Sequence, residues 1–496
     1  MRIREITAVA AAIPLCLAEL QHPLGYQHSE TLPAHSESPF NNAFNQRVEQ
    51  ILEHFHIPGL AISVVNNGTT FAKGYGLSNI ATSTPVTPET LFFAGSTTKA
   101  HTAAALSLLV DDNDNYPHIH WDTPVHTILP EFALSDPLYT SQITLTDMLS
   151  HRSGLPRHDM LMMLNTTAQD IVARLQHLPL TASIRTKFQY CNLLYITAAH
   201  LIETVTGSSF EEFLQTNIWH PLGMTDTGFN LQAALDKDLD VAQGYYYDTD
   251  TYPDSYPDTD TEDDTEKRKG NLHPTNRTYN PAITGAGNIL TSATSYAKWM
   301  RALLTRRSPP LSHAGYEALF SAHTIGNPVT TAPFSAPDLY GLGWVIQNYR
   351  GETILQHGGA QDGYGALVVM LPGRGFGVAM LGNYMEGMNG AAQVLGFELV
   401  DNLLGVEEGG RFDWVGTYVF YFFNKFHHLR YLTEGLGVVM LIKWHAESTT
   451  KPANSNSQMR HSTNYTLICH PSQSSSRLRW TAPPTPVDTR TQPIQP

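Results

Sequence analysis

The chain has 496 residues, of which 42% are hydrophobic, 15% charged and 10% aromatic, with a formal net charge of -15. That balance is ample for a packed core and excludes collagen-like and wholly disordered chains, while the negative charge would repel nucleic-acid phosphate. The 3 cysteines, Cys16, Cys191 and Cys469, are too few and too odd for a disulfide framework or a cysteine zinc site.

Arg2 and Arg4 precede an apolar run from Ile6 to Ala18, short enough for a secretory signal and too short to span a bilayer. Glu5 and Pro14 interrupt that pattern. Residues 1–37 are therefore read as signal peptide and leader, pointing to secretion, with a loosely ordered start and a cytoplasmic location as the alternative. Sequons at Asn67, Asn165, Asn276 and Asn464 agree with export, but a chain this rich in Asn, Ser and Thr produces such triplets by chance. No run of about 18 apolar residues occurs, so no integral membrane segment is expected.

Between Pro39 and Ile57, Phe44, Val48, Ile51, Leu52 and Phe55 recur at spacings of three and four, which predicts an amphipathic helix. Two strand-like runs then flank Asn67-Gly68, a pair suited to a tight hairpin. Helical patterning dominates from Ser96 to about Leu235, with Thr144 and Asp147 spaced as a capping box and a long amphipathic stretch from Leu193 to Leu214. Between Tyr245 and Gly270 the chain is acidic and without period. A calcium loop from Asp258 would lack its sixth-position Gly and carry Lys269 in place of the bidentate Glu, so a solvated loop insertion, 246–270, is expected. β-branched segments return in YGLGWVIQ, ETILQH, GYGALVVML and FGVAMLGN, followed by a helix from Ala391 to Leu404.

Sheet, helical insert and sheet again predict an α+β sandwich. An antiparallel sheet flanked by helices would be completed by both ends of the domain, with an inserted all-helical lobe and a cleft between. The expected domain runs over 38–413. From 414 to 496 the chain is first apolar without period and then Ser/Thr/Pro-rich, which reads as a disordered tail or as a translated intron or shifted frame.

The sharpest chemical signal is Ser96-Thr97-Thr98-Lys99, where a spacing of three at a helix start puts a hydroxyl and an amine on one face. Spacing alone is cheap, because Ser295/Lys298 and Ser448/Lys451 share it. Lys451, however, precedes Pro452, and Lys298 fits the polar face of an amphipathic helix. Only Lys99 opens a nearly charge-free helix, where burial would disfavour its charged form and let it activate Ser96. A helix N-cap is the plain alternative for Ser96.

With Tyr190-Cys191-Asn192 and His357-Gly358-Gly359 following in order, the chain resembles the serine β-lactamases and penicillin-binding proteins, especially the class C β-lactamase-like branch with its D-aminopeptidase, esterase and transesterase relatives. Collinear blocks such as LTDMLSHRSGLP and TGAGNILTSATSYAKWMRALL extend the resemblance over residues 40 to 413. The resemblance implies a β-lactamase/transpeptidase-like fold, Ser96 as nucleophile, Lys99 as its activator and Tyr190 as proton shuttle with a lowered pKa. It also implies Asn192 orienting Lys99 and the substrate amide, and an oxyanion hole from the N–H groups of Ser96 and Ala360. Standing alone, Tyr190 and Asn192 would read as a buried tyrosine and a turn former.

The third motif departs from the Lys-Thr-Gly of β-lactamases. His357 replaces a fixed charge by a titratable one and Gly358 removes a hydroxyl, while Gly359 would let substrate backbone lie close. These changes favour ester, amide or thioester acyl transfer on a small-molecule or short-peptide substrate, with no cofactor, metal or nucleic acid. Neither the oligomeric state nor the acyl acceptor is encoded legibly. A non-catalytic ligand binder on the same fold is the alternative from another class, and a true β-lactamase is a lesser one. His118, His120 and His126, which suggest metal at first sight, lie in a loop without acidic ligands at helical spacing.

Overall fold

The computed structural model describes residues 37–163, 166–248, 271–276, 279–307 and 309–415, together with two two-residue strands near 432 and 438. Contacts divide the chain into two units, Met1–Val415 and Gly416–Pro496. Within the second unit Leu432–Thr433 pairs antiparallel with Val438–Val439. The expected signal peptide and leader up to residue 36, most of the expected acidic insertion and nearly all of the tail lie outside the described residues.

Helix Asn42–His54 is capped by Asn41, whose side chain accepts from Phe44 N–H, and it buries Phe44, Val48, Ile51 and Leu52. Each such apolar side chain contributes about 1.5–3 kcal/mol relative to exposure. Strand β1 (Gly59–Asn66) then turns through Asn67 and Gly68, both at positive φ, into β2 (Thr69–Asn79). The register Asn66↔Thr69 makes this a two-residue hairpin, as the Asn-Gly pair predicts.

After β3 (Thr84–Pro85) the chain leaves the sheet, and β4 (Leu91–Phe93) pairs instead with β7 (Leu290–Ser292) in a small separate sheet. Between them it passes through helices that include Thr98–Asp111, Leu145–Leu149 and Asn192–Thr206, and through a second two-stranded sheet of β5 (Tyr245–Asp248) and β6 (Asn271–Pro274). The rest of the sheet comprises β8 (Thr324–Asn327), β9 (Asp338–Tyr340), β10 (Val345–Tyr349), β11 (Glu352–Gln361), β12 (Tyr364–Leu371) and β13 (Phe376–Gly382). Nine strands pair in the order β3-β2-β1-β13-β12-β11-β10-β9-β8, and every pairing is antiparallel. Both ends of the domain thus build one sheet around an inserted helical lobe.

Alternation along the central strands feeds two cores. Leu60, Ile62, Val64, Leu367, Val369, Val378 and Met380 face helices Asn42–His54 and Met385–Leu403. Ala61, Val65, Ala366, Val368, Ala379 and Leu381 face helix Ala293–Thr305 and the helical lobe. A sheet buried on both faces has little solvent exposure except at its edges.

Several boundaries move. Tyr246–Asp248 pairs with Asn271–His273 as strand, so the insertion expected from 246 begins later; three consecutive tyrosines favour the extended state. The stretch from Leu193 to Leu214 is broken by Gly207, a left-handed C-cap, into helices Asn192–Thr206 and Phe210–Leu214. The helix expected from Ala391 begins at Met385, its first turns disguised by Gly387 and Gly390. No described helix is long and apolar enough to cross a membrane.

Candidate active site

The site forms where the start of the central helix meets β11. Gly95–Thr97 is a single 3-10 turn leading into helix Thr98–Asp111, and Gly95 has φ +50. Thr98 Oγ1 donates to Gly95 carbonyl at 2.7 Å and accepts from Ile289 N–H at 3.2 Å. Thr102 Oγ1 donates to Gly285 carbonyl at 2.7 Å. These two hydroxyls fasten the 285–289 loop to the helix and so bring Ala286 to Lys99.

Lys99 is completely buried. Its Nζ lies 3.1 Å from Ser96 Oγ and donates to the Ala286 carbonyl at 2.7 Å. The rings of Tyr190 and Tyr195 stand 4.9 and 5.4 Å from the same nitrogen. Burial drives the Lys99 pKa well below the ordinary lysine value; nearby Asp159 works against that and Arg157 with it. Burial thus favours the uncharged amine of Lys99 beside the partly exposed Ser96 hydroxyl.

His151 places Tyr190. Its backbone carbonyl accepts from Gln189 N–H at 2.8 Å, and its Nδ1 accepts from Cys191 N–H at 3.1 Å, so the residue between them is clamped from both sides. The His151 and Tyr190 rings lie 4.5 Å apart. Burial first, then Lys99, push the His151 pKa well down, consistent with a neutral ring that accepts at Nδ1. Burial raises the Tyr190 pKa, with a hydrogen bond involving Ser96 acting in the opposite direction. The pKa expected from sequence to be lowered at Tyr190 is raised instead: burial favours the protonated phenol there and the uncharged amine at Lys99. Desolvation of the phenolate outweighs the nearby cations.

Asn192 opens helix Asn192–Thr206 and donates from Nδ2 to Asp159 Oδ1 at 2.9 Å. Its Oδ1 is buried and has no hydrogen-bond partner. Lys99 is oriented by Ala286, not by Asn192 as expected from sequence, because the amide is turned to Asp159.

On β11, His357 is buried, with Nε2 3.2 Å from the Tyr340 hydroxyl and Nδ1 2.7 Å from Gly358 carbonyl. Burial and then Lys99 lower its pKa to about 4, so it supplies no fixed charge at neutral pH. Gly359 has a different reason from the one expected. A Cβ there would lie 2.1 Å from Ala94 carbonyl, so the close neighbour is the nucleophile turn itself and not substrate. Gly358, by contrast, is open: the nearest atom to an added Cβ is Ala366 oxygen at 3.9 Å. Pairing with β10 ends at Val345↔Gln356, so from His357 onward β11 has a strand neighbour only in β12. The Ala360 backbone stands on this stretch, beside Gly95.

The structure thus brings Ser96, Lys99, Tyr190, Asn192, His357 and Ala360 into one region, and adds His151, Tyr340, Ala286, Arg157 and Asp159. His151 had a weak signal within LSHRSGLP, whereas Ala286 acts through its carbonyl and carries no side-chain signal. The competing pair is otherwise engaged: Ser295 Oγ bonds Asp226 and Lys298 Nζ bonds Gly223 carbonyl. Ser448 and Lys451 lie outside the described residues. No group of three or more His, Cys, Asp or Glu side chains that could hold a metal occurs among the described residues.

The beta-lactamase family model matches residues 44–398. The chain belongs to the beta-lactamase family. Within that family it is 40% identical over 385 residues to an unguisins hydrolase of Aspergillus campestris, covering 76% of this chain and 68% of that one. It is 37% identical over 405 residues to an unguisins hydrolase of Aspergillus violaceofuscus, covering 78% and 69%. Among solved structures, the octameric penicillin-binding protein homologue from Pyrococcus abyssi superposes with a TM-score of 0.61 at 25% identity, covering 73% of this chain and 77% of that one. Family, relatives and fold together make this a hydrolase of the serine β-lactamase and penicillin-binding protein superfamily.

Proposed function

We propose that this hydrolase works through a covalent acyl-enzyme on Ser96, cleaving an ester, amide or thioester and passing the acyl group to water or another acceptor. The observation that carries the reading is the buried Lys99 amine 3.1 Å from Ser96 Oγ, anchored by Ala286 carbonyl. Neutral Lys99 takes the Ser96 proton as Oγ attacks the substrate carbonyl. The N–H groups of Ser96 and Ala360 receive the developing oxyanion, where one donor is worth about 2.7–4 kcal/mol. Tyr190, still protonated, gives its proton to the leaving group and regains one from the Lys99 ammonium, which returns the amine for deacylation.

The neutral His357 and the absent hydroxyl at Gly358 support a substrate without the carboxylate that β-lactams present. The names of the two Aspergillus relatives make an unguisin the first compound to assay. Intact mass of the protein after exposure to aryl esters, D-amino-acid amides, acyl thioesters and an unguisin tests the proposal. An acyl adduct on wild type that is missing from Ser96→Ala supports it, and turnover by Ser96→Ala at the wild-type rate removes it.

A further inference from the structure

Two amide side chains lock together beside the catalytic residues. Asn288 is only 1% exposed and Gln361 is half-buried. Gln361 Nε2 donates to Asn288 Oδ1 at 2.8 Å, and the Asn288 backbone N–H donates back to Gln361 Oε1 at 3.3 Å. Asn288 Nδ2 donates to the Asn280 carbonyl at 2.6 Å. A carbonyl can only accept and a backbone N–H can only donate, so neither amide can be turned over without setting like against like. Asn288 also stands at φ +72, a left-handed conformation that asparagine adopts more readily than most residues with a side chain.

The pair joins two parts of the catalytic apparatus. Asn288 lies two residues beyond Ala286, whose carbonyl accepts from Lys99 Nζ at 2.7 Å. Ala286 stands between Gly285 and Gly287, so neither neighbour offers a side chain to hold that carbonyl in place. Gln361 ends β11 and directly follows Ala360, whose N–H is assigned to the oxyanion. Thr98 and Thr102 tie the 285–289 loop to the nucleophile helix, and the amide pair ties the same loop to the strand.

We infer that Asn288 and Gln361 are positioning residues, whose reciprocal bond clamps the loop that anchors Lys99 to the strand that receives the oxyanion. Proton removal from Ser96 and stabilisation of the oxyanion then occur in one fixed geometry. The inference rests on the Ser96 acyl-enzyme reading and names two residues that serve it through Ala286 and Ala360. Because the clamp acts on the placement of reacting groups, loosening it should slow acylation far more than it weakens binding. A displacement of about 1 Å at such groups can cost on the order of 100-fold in rate.

The test uses the full chain and p-nitrophenyl acetate in stopped flow, where the burst of p-nitrophenolate gives the limiting acylation rate and the substrate dissociation constant separately. Intact mass gives the fraction of working sites. Gln361→Met keeps the side-chain length and loses both bonds, and Asn288→Gly loses the side chain while still permitting the positive φ. Each should lower the acylation rate per working site by about tenfold or more, with the dissociation constant within about twofold of wild type. The double variant should be no more than about twofold slower than the slower single variant, because the same clamp is broken in all three. A merely structural pair would lower the Tm and the fraction of working sites and leave the rate per site unchanged. A wild-type rate per site in Gln361→Met overturns the inference, and so do losses that multiply in the double variant. If Asn288→Gly does not fold, the split between rate and binding in Gln361→Met decides. Intact mass also separates the two levels of argument: a wild type acylated at Ser96 with an unchanged rate in Gln361→Met defeats the clamp alone, whereas no acylation of wild type by any aryl ester defeats the Ser96 reading and this inference with it.

Discussion

Gly95 and Ala360 meet with no room for a side chain between them. A Cβ on Gly95 would lie 2.6 Å from Ala360 nitrogen and 2.9 Å from its oxygen, and Gly95 itself sits at φ +50. The turn that carries Ser96 is therefore seated directly on the strand segment whose N–H is assigned to the oxyanion. Gly95→Ala should destabilise the fold by about 1–3 kcal/mol through overpacking and left-handed strain. Displacing Ser96 from Ala360 should also lower kcat/KM by about 100-fold, more than the stability loss explains. Thermal melts and aryl-ester kinetics on the same preparation check both numbers, and a variant with wild-type kinetics would falsify the seating argument.

Lys99 makes opposite predictions for activity and stability. Its amine is uncharged more readily than an ordinary lysine because of burial, so the acid limb of kcat/KM should fall below the usual lysine range, with activity rising as pH rises through it. Folding linkage runs the same way: the unfolded chain binds a proton that the folded one resists, so stability rises with pH between the depressed folded value and about 10.4. Lys99→Met should lose a factor of about 100 to 10,000 in acylation. The variant should nonetheless be at least as stable as wild type at pH 7, with its advantage shrinking toward pH 10. Urea titrations at pH 7 and 10 measure this, and a variant much less stable than wild type at pH 7 argues that the ammonium is held charged.

Much of this frame was readable from residue order. The helix over Phe44, Val48, Ile51 and Leu52 and the Asn67-Gly68 hairpin follow from local periodicity and turn chemistry, and the two-ended sheet follows from where β-branched runs recur. β4 and β7 escaped because three-residue strands with every position buried show no alternation. The site was half readable. Ser96, Lys99 and Tyr190 sit in motifs, but the Ala286 carbonyl reaches Lys99 across 187 residues, and His151 and Asp159 act on Cys191 and Asn192 across 40 and 33. Such contacts are products of the tertiary fold. The Tyr190 shift runs opposite to the expected direction for a related reason: its ring packs 4.5 Å from that of His151 and 6.3 Å from that of His357, both distant in sequence.

Asp147 should be the ionic keystone of the helical lobe. Its carboxylate closes a capping box with Thr144 and binds Arg152 at 2.5 Å and Arg185 at 2.8 Å, with no side-chain exposure. Burial alone would raise its pKa, but hydrogen bonds from Arg185, the Thr144 backbone and Arg152 prevail and hold it down. A carboxylate depressed in the folded state contributes stability above about pH 3.9 that is lost as pH falls through the folded value. Asp147→Ala, which leaves two arginines without their partner, should cost about 3–5 kcal/mol at pH 7. The gap from wild type should narrow below about pH 4, and denaturant melts at pH 7 and pH 3 that give equal gaps count against this assignment.

The open space at Gly358 permits a single-residue test of specificity. The expected preference for esters over β-lactams rests on two absences at this strand, a fixed cation and a hydroxyl, and only one can be restored without disturbing the core. An added Cβ at Gly358 meets nothing closer than 3.9 Å, so Gly358→Thr should fold with a Tm near that of wild type. His357 is different. It is buried, its Nε2 faces Tyr340, and burial followed by the nearby Lys99 lowers its pKa to about 4. His357→Lys would bury an ammonium next to the Lys99 amine, in surroundings that already resist charge, and should destabilise the protein strongly. Gly358→Thr alone supplies a hydroxyl donor for a substrate carboxylate and should raise penicillin acylation by about tenfold, the worth of a hydrogen bond to a charged group. Ester turnover, which does not need that donor, should change much less. Stopped-flow acylation by a penicillin and by a neutral aryl ester, measured in wild type and Gly358→Thr, decides the matter. A wild-type protein that already turns over a cephalosporin faster than every ester tested shows that neither missing group limits β-lactam recognition.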